Sequence, residues 1–388
     1  IPPVDCIIVQ NPPSIPLLFL TYLYTLKTRS GLIIDWHNLG YTMFQKSSKH
    51  PITILARTYE QLMAPLADGN LCVTHAMKEW LICTDNKFHI QRDRIRELYD
   101  RPPEFFHPTH DIQAVHELMK RLRDDMERQC PSLRSMREEN GTMWTDMRIE
   151  DDGNERIVPK KDCPALVVSS TSWTPDEDFS ILFDALVQLD NTVKEMDSCS
   201  HGMTRVFPRV IVIVTGKGPQ KSFYEGQIAA LDLDHVSILT MWLESSDYPL
   251  LLGCADLGVS LHTSTSGLDL PMKVLDMFGC EVPVCAVDFD CLGELVQDGK
   301  NGRVFRMSSE LADQVFRLLG EDRVVDKDHV RLGKIGGDLA VFRSNIRGMT
   351  RWRENWKEQA HAVIMGACPD RSACVDSPKN HLAAKKHD

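Results

Sequence analysis

The 388-residue sequence has no excess of positive charge and no long apolar run. Its 44 Lys and Arg residues are outnumbered by 55 Asp and Glu residues, for a formal net charge of −11. It therefore has no global positive field that could hold nucleic acid by counterion release. No stretch of about 18 consecutive apolar residues occurs, so no membrane-spanning helix is predicted within these residues. The longest apolar run, Ile15 to Leu26, is predicted to be a buried helix between two strands, with a helix lying on a membrane surface as the alternative.

Disulfide and metal signatures are also lacking. None of the 12 cysteines forms a CxxC pair, and their scatter through apolar runs favours buried thiols in a reducing compartment. The absence of Walker spacing and of GxGxxG after an opening strand disfavours a P-loop ATPase and an NAD-dependent dehydrogenase. What is present is an ordinary globular composition, 43% hydrophobic and 26% charged, in a chain long enough for two or three domains.

Two stretches of the chain alternate short β-branched runs with helix-length segments, which predicts parallel sheets covered on both faces. Residues 1–108 show four strands, fewer than a doubly wound domain needs, and are interpreted as the C-terminal part of such a domain. Residues 163–320 are predicted to be a complete α/β domain. The other predicted features are helices at Leu17–Lys27 and Ile52–Ala64, a charged linker at 109–162 with a helix at Ile112–Gln129 and a mobile insertion at 138–156, C-terminal helices at 321–366 that pack back on the first domain, and a flexible tail at 367–388.

Sheets of this kind bind ligands at the carboxyl ends of their strands, so the turns after the strands of the second domain are the candidate site. The first turn contains Ser172 and Trp173 and leads into a helix, whose N-terminus either accepts an anion or is simply capped by polar residues. The second turn, Gly216 to Gly218, carries Lys217 and is either a diphosphate contact or a tight turn.

The third turn is the richest in polar groups. It contains Ser266, Gly267 and Asp269, and the helix that follows carries Lys273 and Asp276 on about the same face. A cation for a phosphate and a carboxylate for a ribose diol would then project side by side, although a structural Lys–Asp pair would have the same spacing. The presence of three such turns in one domain favours the binding interpretation.

In the first domain, His37 follows the predicted strand GLIID and could act as a base or hold a hydroxyl group. A structural histidine is equally consistent with that position. His75 occupies an analogous turn after NLCVT and is the weaker candidate.

Several longer segments carry a resemblance to a known family. NPPSIP, IDWHNLGY, VSSTSWTPDEDFSIL, VTGKGP and LPMKVLDMFGCEVPVCAV are similar to the chitobiosyldiphosphodolichol β-mannosyltransferases. The similarity extends over nearly all of the chain except residues 123–162 and the C-terminal tail. It implies an α/β protein of the GT-B class, in which two Rossmann-like doubly wound domains face a central cleft. The family's amino-terminal membrane anchor and first strands are absent from these residues.

The resemblance also implies an activity. The family transfers the first, β-1,4-linked mannose from GDP-mannose to dolichyl-diphosphate chitobiose, with inversion at the anomeric carbon, during assembly of the N-glycan precursor. The expected location is the cytosolic face of the endoplasmic reticulum membrane, and other mannosyltransferases of glycan assembly are candidate partners. No cofactor or essential metal is expected, and a non-essential divalent cation stays open.

In this interpretation the donor-binding residues lie in the second domain. The diphosphate of GDP-mannose is expected across the turns at Gly216–Gly218 and Gly267–Lys273, and Asp276 is expected near the ribose. Ser172 and Trp173 are expected to close the site.

For catalysis, Lys217 and Lys273 are expected to replace the divalent cation that other transferase folds use to stabilise the departing diphosphate. His37 is the candidate base, with Asp269 as its competitor. The sequence departs from the wider GT-B group in having Ser172 where an Arg is common, and aspartates in place of two glutamates.

Two alternatives remain open. One is a related transferase that uses another nucleotide sugar or a soluble acceptor. The other is a non-catalytic scaffold that has kept the fold and assembles other enzymes of the glycan pathway.

Overall fold

Two parallel β-sheets, each covered by helices, organise the chain. The computed structural model describes residues 4–44, 48–150, 154–160, 163–175, 177–199, 207–264, 266–320, 324–325, 332–333 and 337–368. The backbone divides into two units, residues 1–98 with 356–388, and residues 99–355.

The first unit is built on a four-stranded parallel sheet in the order β1-β2-β3-β4. Its strands are β1 (Cys6–Asn11), β2 (Gly31–Trp36), β3 (Gly69–Cys72) and β4 (Ile95–Glu97), and the connecting helices are α1 (Leu17–Thr28), α2 (Pro51–Met63) and α3 (His75–Ile82). Every residue of β2 except Asp35 is buried. Such burial is typical of a parallel strand that is covered on both faces.

Local sequence signals set the starts of α2 and α3. Pro51 lies in the first turn of α2, and the His50 ring accepts a hydrogen bond from the Ile52 N–H at 3.3 Å. At the start of α3, Thr74 Oγ1 accepts from the Met77 N–H at 3.0 Å. Proline and side-chain acceptors are both favoured at helix N-termini. The predicted helices at Leu17–Lys27 and Ile52–Ala64 are confirmed with small shifts at their ends. The prediction that the run Ile15–Leu26 is buried is wrong, because only Leu18 and Thr25 of α1 are buried and its other leucines are exposed.

The second unit begins with a helix and an antiparallel hairpin and continues as a doubly wound domain. The helix is α4 (Ile112–Gln129), and the hairpin consists of β5 (Thr145–Ile149) and β6 (Glu155–Pro159). The elements that follow are β7 (Ala165–Ser170), α5 (Phe179–Cys199), β8 (Val210–Thr215), α6 (Lys221–Ala229), β9 (Val236–Met241), α7 (Asp247–Cys254), β10 (Leu257–Ser260), α8 (Met272–Gly279), β11 (Val284–Val287), β12 (Gly302–Phe305) and α9 (Ser308–Gly320).

The strand order in the second unit is β12-β11-β10-β7-β8-β9, and every pair is parallel. The chain winds outward from β7 to β9 and then returns to the other side of β7 with β10. The change of direction between β7 and β10 is the topological switch point at which open α/β sheets bind their ligands.

Successive side chains of the central strands enter two apolar clusters on opposite faces of the sheet. Leu166 and Val168 of β7 belong to one cluster, while Val167 of the same strand belongs to the other. This alternation is the period of two that a β-strand imposes. Parallel strands buried on both faces form a rigid platform for the turns at their carboxyl ends.

Residues 109–162, predicted as a charged linker, pack onto the second unit wherever the structure describes them. Helix α4 has the predicted bounds, and its Val115 and Leu118 lie in the core. The predicted mobile insertion, 138–156, instead includes β5 and the start of β6. Trp144 before β5 is buried, and its Nε1–H donates to the Pro164 carbonyl at 3.0 Å. A single buried aromatic therefore anchors a segment whose composition is largely polar.

The C-terminal part of the chain contributes to both units. A short antiparallel pair, β13 (Val324–Val325) and β14 (Leu332–Gly333), and helices α10 (Asp338–Arg347) and α11 (Trp352–Asn355) precede α12 (His361–Ala367). Leu339 and Phe342 of α10 join the core of the second unit. Within 321–366, predicted to pack on the first domain, only the residues from Trp356 onward belong to the first unit. The predicted tail beyond Cys368 lies outside the described residues.

Helix α12 closes one face of the first sheet. A Cβ on Gly31 would lie 2.0 Å from the Ala367 carbonyl oxygen, and a Cβ on Gly69 would lie 2.6 Å from Val363 Cγ1. Only glycine permits so close an approach of helix and strand. In the part of the chain that the structure covers, no helix has both the length and the apolar character needed to cross a bilayer.

Candidate functional site

Three turns at the carboxyl edge of the second sheet form the candidate donor site. They follow β7, β8 and β10 and lead into α5, α6 and α8. The helices present the unpaired N–H groups of their first turns at this edge, where an anion is stabilised. Because β7 lies between β8 and β10, the first of these turns is the central one.

The turn after β7 is held by a buried tryptophan. Trp173 has a positive φ of 49° and is 0% exposed. Its ring centroid lies 4.6 Å from that of Phe179 and 5.7 Å from that of Tyr224, and its Nε1–H donates to the Gly216 carbonyl at 3.2 Å. The backbone bend turns the Trp173 ring into the core, and the predicted part of Trp173 in closing the donor site stays a prediction. The buried side chain therefore stabilises both the turn after β7, which carries it, and the turn after β8, to which it is hydrogen-bonded.

Two glycines allow the turn after β8 to lie directly against the turn after β7. A Cβ on Gly216 would lie 1.8 Å from the Thr171 carbonyl oxygen, and one on Gly218 would lie 1.7 Å from the Ser172 carbonyl oxygen. Gly216 also has a φ of +151°, which L side chains rarely adopt. The glycines are thus required for packing of one turn on the other, and phosphate contact through their backbone N–H groups stays a prediction.

Lys217, between these glycines, lies over an aromatic ring. Its Nζ is 3.9 Å from the ring centroid of Trp242, which follows β9 and is exposed. A cation–π contact of this kind at an exposed position contributes roughly 0.5–1 kcal/mol. Trp242 therefore holds the ammonium group at the carboxyl edge of the sheet.

Lys273 on the first turn of α8 is paired with a residue that the sequence analysis did not single out. Its Nζ lies 2.5 Å from Glu177 Oε1, with the side chains 27% and 2% exposed. The other oxygen, Glu177 Oε2, accepts hydrogen bonds from the Ser172 N–H at 3.0 Å and from the Thr171 hydroxyl. Glu177 therefore links the turn after β7 to the lysine of α8. Its place inside the polar run TPDEDF was the only sequence signal.

The turn after β10 is ordered by its own aspartate. Asp269 Oδ1 accepts from the hydroxyls of Ser264 at 2.5 Å and Ser266 at 2.9 Å. The Gly267 N–H donates to Ser264 Oγ at 2.9 Å, and Gly267 has a φ of +73°. The carboxylate of Asp269 is thus an internal acceptor of its loop. Its predicted role as a competing base is not tested by this arrangement.

Asp276 lies one turn beyond Lys273 on α8, in a half-buried position. Burial raises the pKa of its carboxyl group from 3.8 to about 7. Nearby, the Tyr248 and Ser170 hydroxyls are 2.9 Å apart, and burial raises the pKa of Tyr248 above its ordinary value. The pKa of the Asp276 carboxyl group is thus near 7, and the two hydroxyls lie close to it. When ionised, such a carboxylate is suited to accept hydrogen bonds from a diol.

In the first unit, His37 follows β2 and is held by a carboxylate. Its Nε2 lies 3.1 Å from Asp35 Oδ2, and its side chain is 33% exposed. The His37 N–H donates to the Asn11 carbonyl at 2.9 Å. A carboxylate on one ring nitrogen sets the tautomer and stabilises the imidazolium that forms when the ring accepts a proton.

The loop that carries His37 is fastened by a buried glutamate. Glu60 of α2 is 0% exposed, and its Oε1 accepts from the Gly40 N–H at 2.9 Å and from Asn11 Nδ2 at 3.1 Å. The same Asn11 amide donates to the Asn38 carbonyl at 3.2 Å. Burial raises the pKa of Glu60. These contacts fix the loop immediately after His37, at Asn38 and Gly40.

The weaker candidate, His75, has a different setting. Its Nδ1 lies 3.0 Å from Glu97 Oε1, and Lys78 Nζ lies 2.9 Å from Glu97 Oε2. The His75 side chain is exposed, and it belongs to a surface ion-pair cluster. Across the described residues, no group of three or more His, Cys, Asp or Glu side chains is arranged to hold a metal ion.

The structure thus brings part of the predicted donor site together. Gly218 lies against Ser172 and Gly216 against Thr171, and Glu177 joins this turn to Lys273. Lys217 sits over Trp242, and Ser266, Gly267 and Asp269 form their own hydrogen-bonded loop. His37 belongs to the other unit.

Comparisons with known proteins place this architecture in a class. A family model described as glycosyl transferases group 1 matches residues 185–321. Among solved structures, HepE of Anabaena in complex with UDP has a TM-score of 0.55 at 15% identity, over 92% of this chain and 76% of that chain. The UDP-forming α,α-trehalose-phosphate synthase of Burkholderia xenovorans has a TM-score of 0.57 at 11% identity, over 95% and 75%. The fold and the group 1 domain define a GT-B glycosyltransferase.

Sequence relatives narrow the class further. Human chitobiosyldiphosphodolichol β-mannosyltransferase is 41% identical over 364 residues, which is 92% of this chain and 72% of the human protein. The Debaryomyces hansenii protein of the same name is 37% identical over 369 residues, covering 92% and 67%. The protein called UDP-glycosyltransferase TURAN of Arabidopsis thaliana is 45% identical over 334 residues, covering 82% and 69%. The chain belongs to the chitobiosyldiphosphodolichol β-mannosyltransferase family.

Proposed function

We propose that this protein transfers one mannosyl residue from GDP-mannose to dolichyl-diphosphate chitobiose, forming the first β-1,4-linked mannose of the N-glycan precursor. The observation that carries the proposal is the extended similarity to enzymes of that name, 41% identity over 92% of the chain for the human protein. The reaction would take place on the cytosolic face of the endoplasmic reticulum membrane, where other mannosyltransferases of glycan assembly are candidate partners. No cofactor is proposed.

The donor is proposed to bind at the three turns of the second unit. Its diphosphate would lie on the N–H groups of the turns and against Lys217 and Lys273, which are held in place by Trp242 and Glu177. Positive groups fixed before the reaction stabilise charge that develops on departing GDP without reorganisation. Asp276 would accept the hydrogen bonds of the ribose diol.

Inversion requires a single displacement with a base at the acceptor. His37, held by Asp35 at 3.1 Å, is proposed to remove the proton from the attacking acceptor hydroxyl. The bond from that oxygen to the anomeric carbon forms as the bond from the carbon to GDP breaks, and GDP leaves with the electron pair. The proton remains on the imidazole, where the Asp35 carboxylate stabilises it.

A product analysis tests the proposed reaction. Full-length protein in membranes is incubated with GDP-mannose and chitobiose-diphosphate lipid, and the product is treated with β-mannosidase. Release of the added sugar by β-mannosidase is expected. Resistance of the product to this enzyme, or no transfer at all, would contradict the proposal. A His37→Ala variant that keeps full kcat would contradict the assignment of the base.

A binding experiment tests the donor site. The Lys217→Ala/Lys273→Ala variant is expected to bind GDP about tenfold or more weakly, since two charge-assisted contacts are lost. Lys120→Ala, which removes an exposed lysine of α4, is the matched control and is expected to bind like the wild type. Unchanged GDP affinity of the double variant would refute the site.

A different donor is the second candidate function. It is favoured by the name of the Arabidopsis relative, a UDP-glycosyltransferase at 45% identity. Competition between GDP and UDP in a thermal-shift assay separates the two, because the true donor nucleotide stabilises the fold at the lower concentration.

A further inference from the structure

The loop between β9 and α7, residues 242–246, lies beside the three turns of the candidate donor site. Its first residue, Trp242, contacts Lys217, whose Nζ is 3.9 Å from the indole centroid. At its other end the loop enters α7, where Tyr248 is close enough to Asp276 for the two groups to interact electrostatically. The loop therefore runs from the proposed diphosphate site to the proposed ribose site, within reach of a base attached to that ribose.

Trp242 presents an indole ring that the fold does not bury. The residue is 56% exposed, although tryptophan is usually well buried. An indole ring has two faces, and the Lys217 ammonium lies over one of them. In the described part of the chain, no other aromatic ring or cation stacks on Trp242. An exposed indole face is a favourable stacking surface for a planar nucleobase.

Hydrogen bonds hold this loop in place at both ends. Just before Trp242, the side-chain amide of Gln129 accepts from the Thr240 N–H at 2.9 Å and donates to the Thr240 carbonyl at 3.0 Å. At the other end, the Glu244 carbonyl accepts from the Asp247 N–H at 3.0 Å, at the start of α7. A platform that is ordered before binding loses little conformational entropy when a ligand arrives.

The loop also carries the carboxylate of Glu244. The residue is exposed, and its side chain takes part in no hydrogen bond or ion pair with any described residue. A carboxylate beside an anion site opposes anion binding by repulsion, unless the ligand offers it hydrogen-bond donors. Guanine offers two, since its N1–H and 2-amino group lie side by side and match the two oxygens of a carboxylate. Uracil has one N–H between two carbonyl oxygens, which a carboxylate repels.

We propose that residues 242–246 form the nucleobase subsite of the donor, with Trp242 as the stacking surface and Glu244 as the residue that selects guanine over uracil. The inference rests on the proposed function, since it places the base of the proposed donor, GDP-mannose. Trp242 supplies affinity for any base, because every base has a π-face. Glu244 supplies specificity, because a site that hydrogen-bonds a group rejects an analogue that lacks it.

Calorimetric titration of the full chain with GDP, inosine diphosphate and UDP tests Glu244. Hypoxanthine, the base of inosine diphosphate, lacks only the 2-amino group of guanine. The wild type is expected to bind GDP about tenfold more tightly than inosine diphosphate, and UDP more weakly still. Glu244→Gln is expected to bind GDP about tenfold more weakly and to reduce the ratio of the two purine affinities to about one. The control is Glu195→Gln, which changes an exposed glutamate near the C-terminal end of α5 and is expected to keep the wild-type affinities.

The same titrations test Trp242. Trp242→Ala is expected to weaken the binding of GDP and of inosine diphosphate by about tenfold each, which leaves their ratio unchanged. Trp242→Phe keeps an aromatic ring and is expected to restore most of the affinity. The loss is expected to persist in a Lys217→Ala background, since stacking does not depend on the ammonium group. The matched control is Phe223→Ala, which removes an exposed aromatic ring at the start of α6 and is expected to bind like the wild type. Thermal melts show that each variant is folded.

Several results would overturn the subsite. They are full GDP affinity of Trp242→Ala, a loss that disappears in the Lys217→Ala background, and an unchanged ratio of purine affinities in Glu244→Gln. A large loss in Phe223→Ala would place the base on a different ring and would also overturn it. These results leave the proposed function intact when the wild type prefers GDP and transfers mannose from GDP-mannose. A wild type that binds UDP more tightly than GDP would contradict the proposed donor itself.

Discussion

Replacement of Asp276 by Asn is expected to stabilise the second unit in a pH-dependent manner. Burial raises the pKa of Asp276 from 3.8 to about 7, so the folded state holds this proton more tightly than the unfolded state. The corresponding stability is fully present below about pH 4 and is lost as the pH rises through about 7. This shift in pKa sets an upper limit of about 4 kcal/mol on the free energy of unfolding that is lost when Asp276 is ionised at pH 8. Because the side chain is only partly buried, the expected gain of the Asn variant is about 1–3 kcal/mol.

Hydrogen exchange and calorimetry measure this difference. The unfolding transition and the amide protection of β7 and β10 are compared between wild type and Asp276→Asn at pH 5 and pH 8. Exchange reports the second unit alone, so it does not require two-state unfolding of the whole chain. Asp232→Asn, which changes an exposed aspartate, is the control. A gain of the Asp276 variant that is the same at both pH values would refute the reasoning.

The same substitution is expected to weaken nucleotide binding. If the ionised carboxylate of Asp276 accepts the ribose diol, the Asn variant binds GDP on the order of tenfold more weakly at pH 8, as measured by calorimetric titration. Wild-type affinity is also expected to fall as the pH drops below about 7. Equal affinity of the wild type and the variant for GDP would show that Asp276 does not contact the donor.

Three further substitutions probe the same unit. Gly216→Ala is expected to destabilise it by about 2–4 kcal/mol in calorimetry, since the new Cβ would lie 1.8 Å from the Thr171 carbonyl; an unchanged midpoint would contradict this packing. Burial alone would raise the pKa of Asp190, but an ion pair and backbone N–H groups lower it. The ionised carboxylate therefore stabilises the fold at neutral pH, and this stabilisation is lost in acid. We expect the urea midpoint of Asp190→Asn to depend less on pH than that of the wild type. Glu177→Gln is expected to cost about 2–3 kcal/mol by removing the charge that pairs with Lys273, and a double-mutant cycle with Lys273→Met that shows no coupling would argue against the pair.

Elements governed by local periodicity could be predicted from the sequence. Helix α4 has the predicted bounds because its apolar residues recur on one face and Asp111 caps its first turn, accepting from the Gln113 N–H at 2.9 Å. The β5–β6 hairpin was missed because its strands are polar and solvent-facing. What holds it is the tertiary burial of Trp144, which composition does not reveal.

The candidate site, too, could be predicted from the sequence only in part. The turns could be located, since parallel strands dictate where they lie. The orientation of Trp173 could not, because it depends on a single left-handed residue whose ring enters a pocket between Phe179 and Tyr224. The role of Glu177 could not be predicted either. Its partner Lys273 is distant along the chain, and no sequence pattern links the two residues.

The first unit is assembled from two separate stretches of the chain, with α12 packing on a sheet whose described strands all precede residue 98. During synthesis on the ribosome the six-stranded sheet can close as soon as its own strands have emerged, whereas the four-stranded sheet must wait for α12. Ile33 and Leu71, which α12 covers, stay open to chaperones throughout that interval. A nonsense codon shortly before Trp356 would therefore leave an intact donor lobe attached to a lobe that quality control recognises as unfinished.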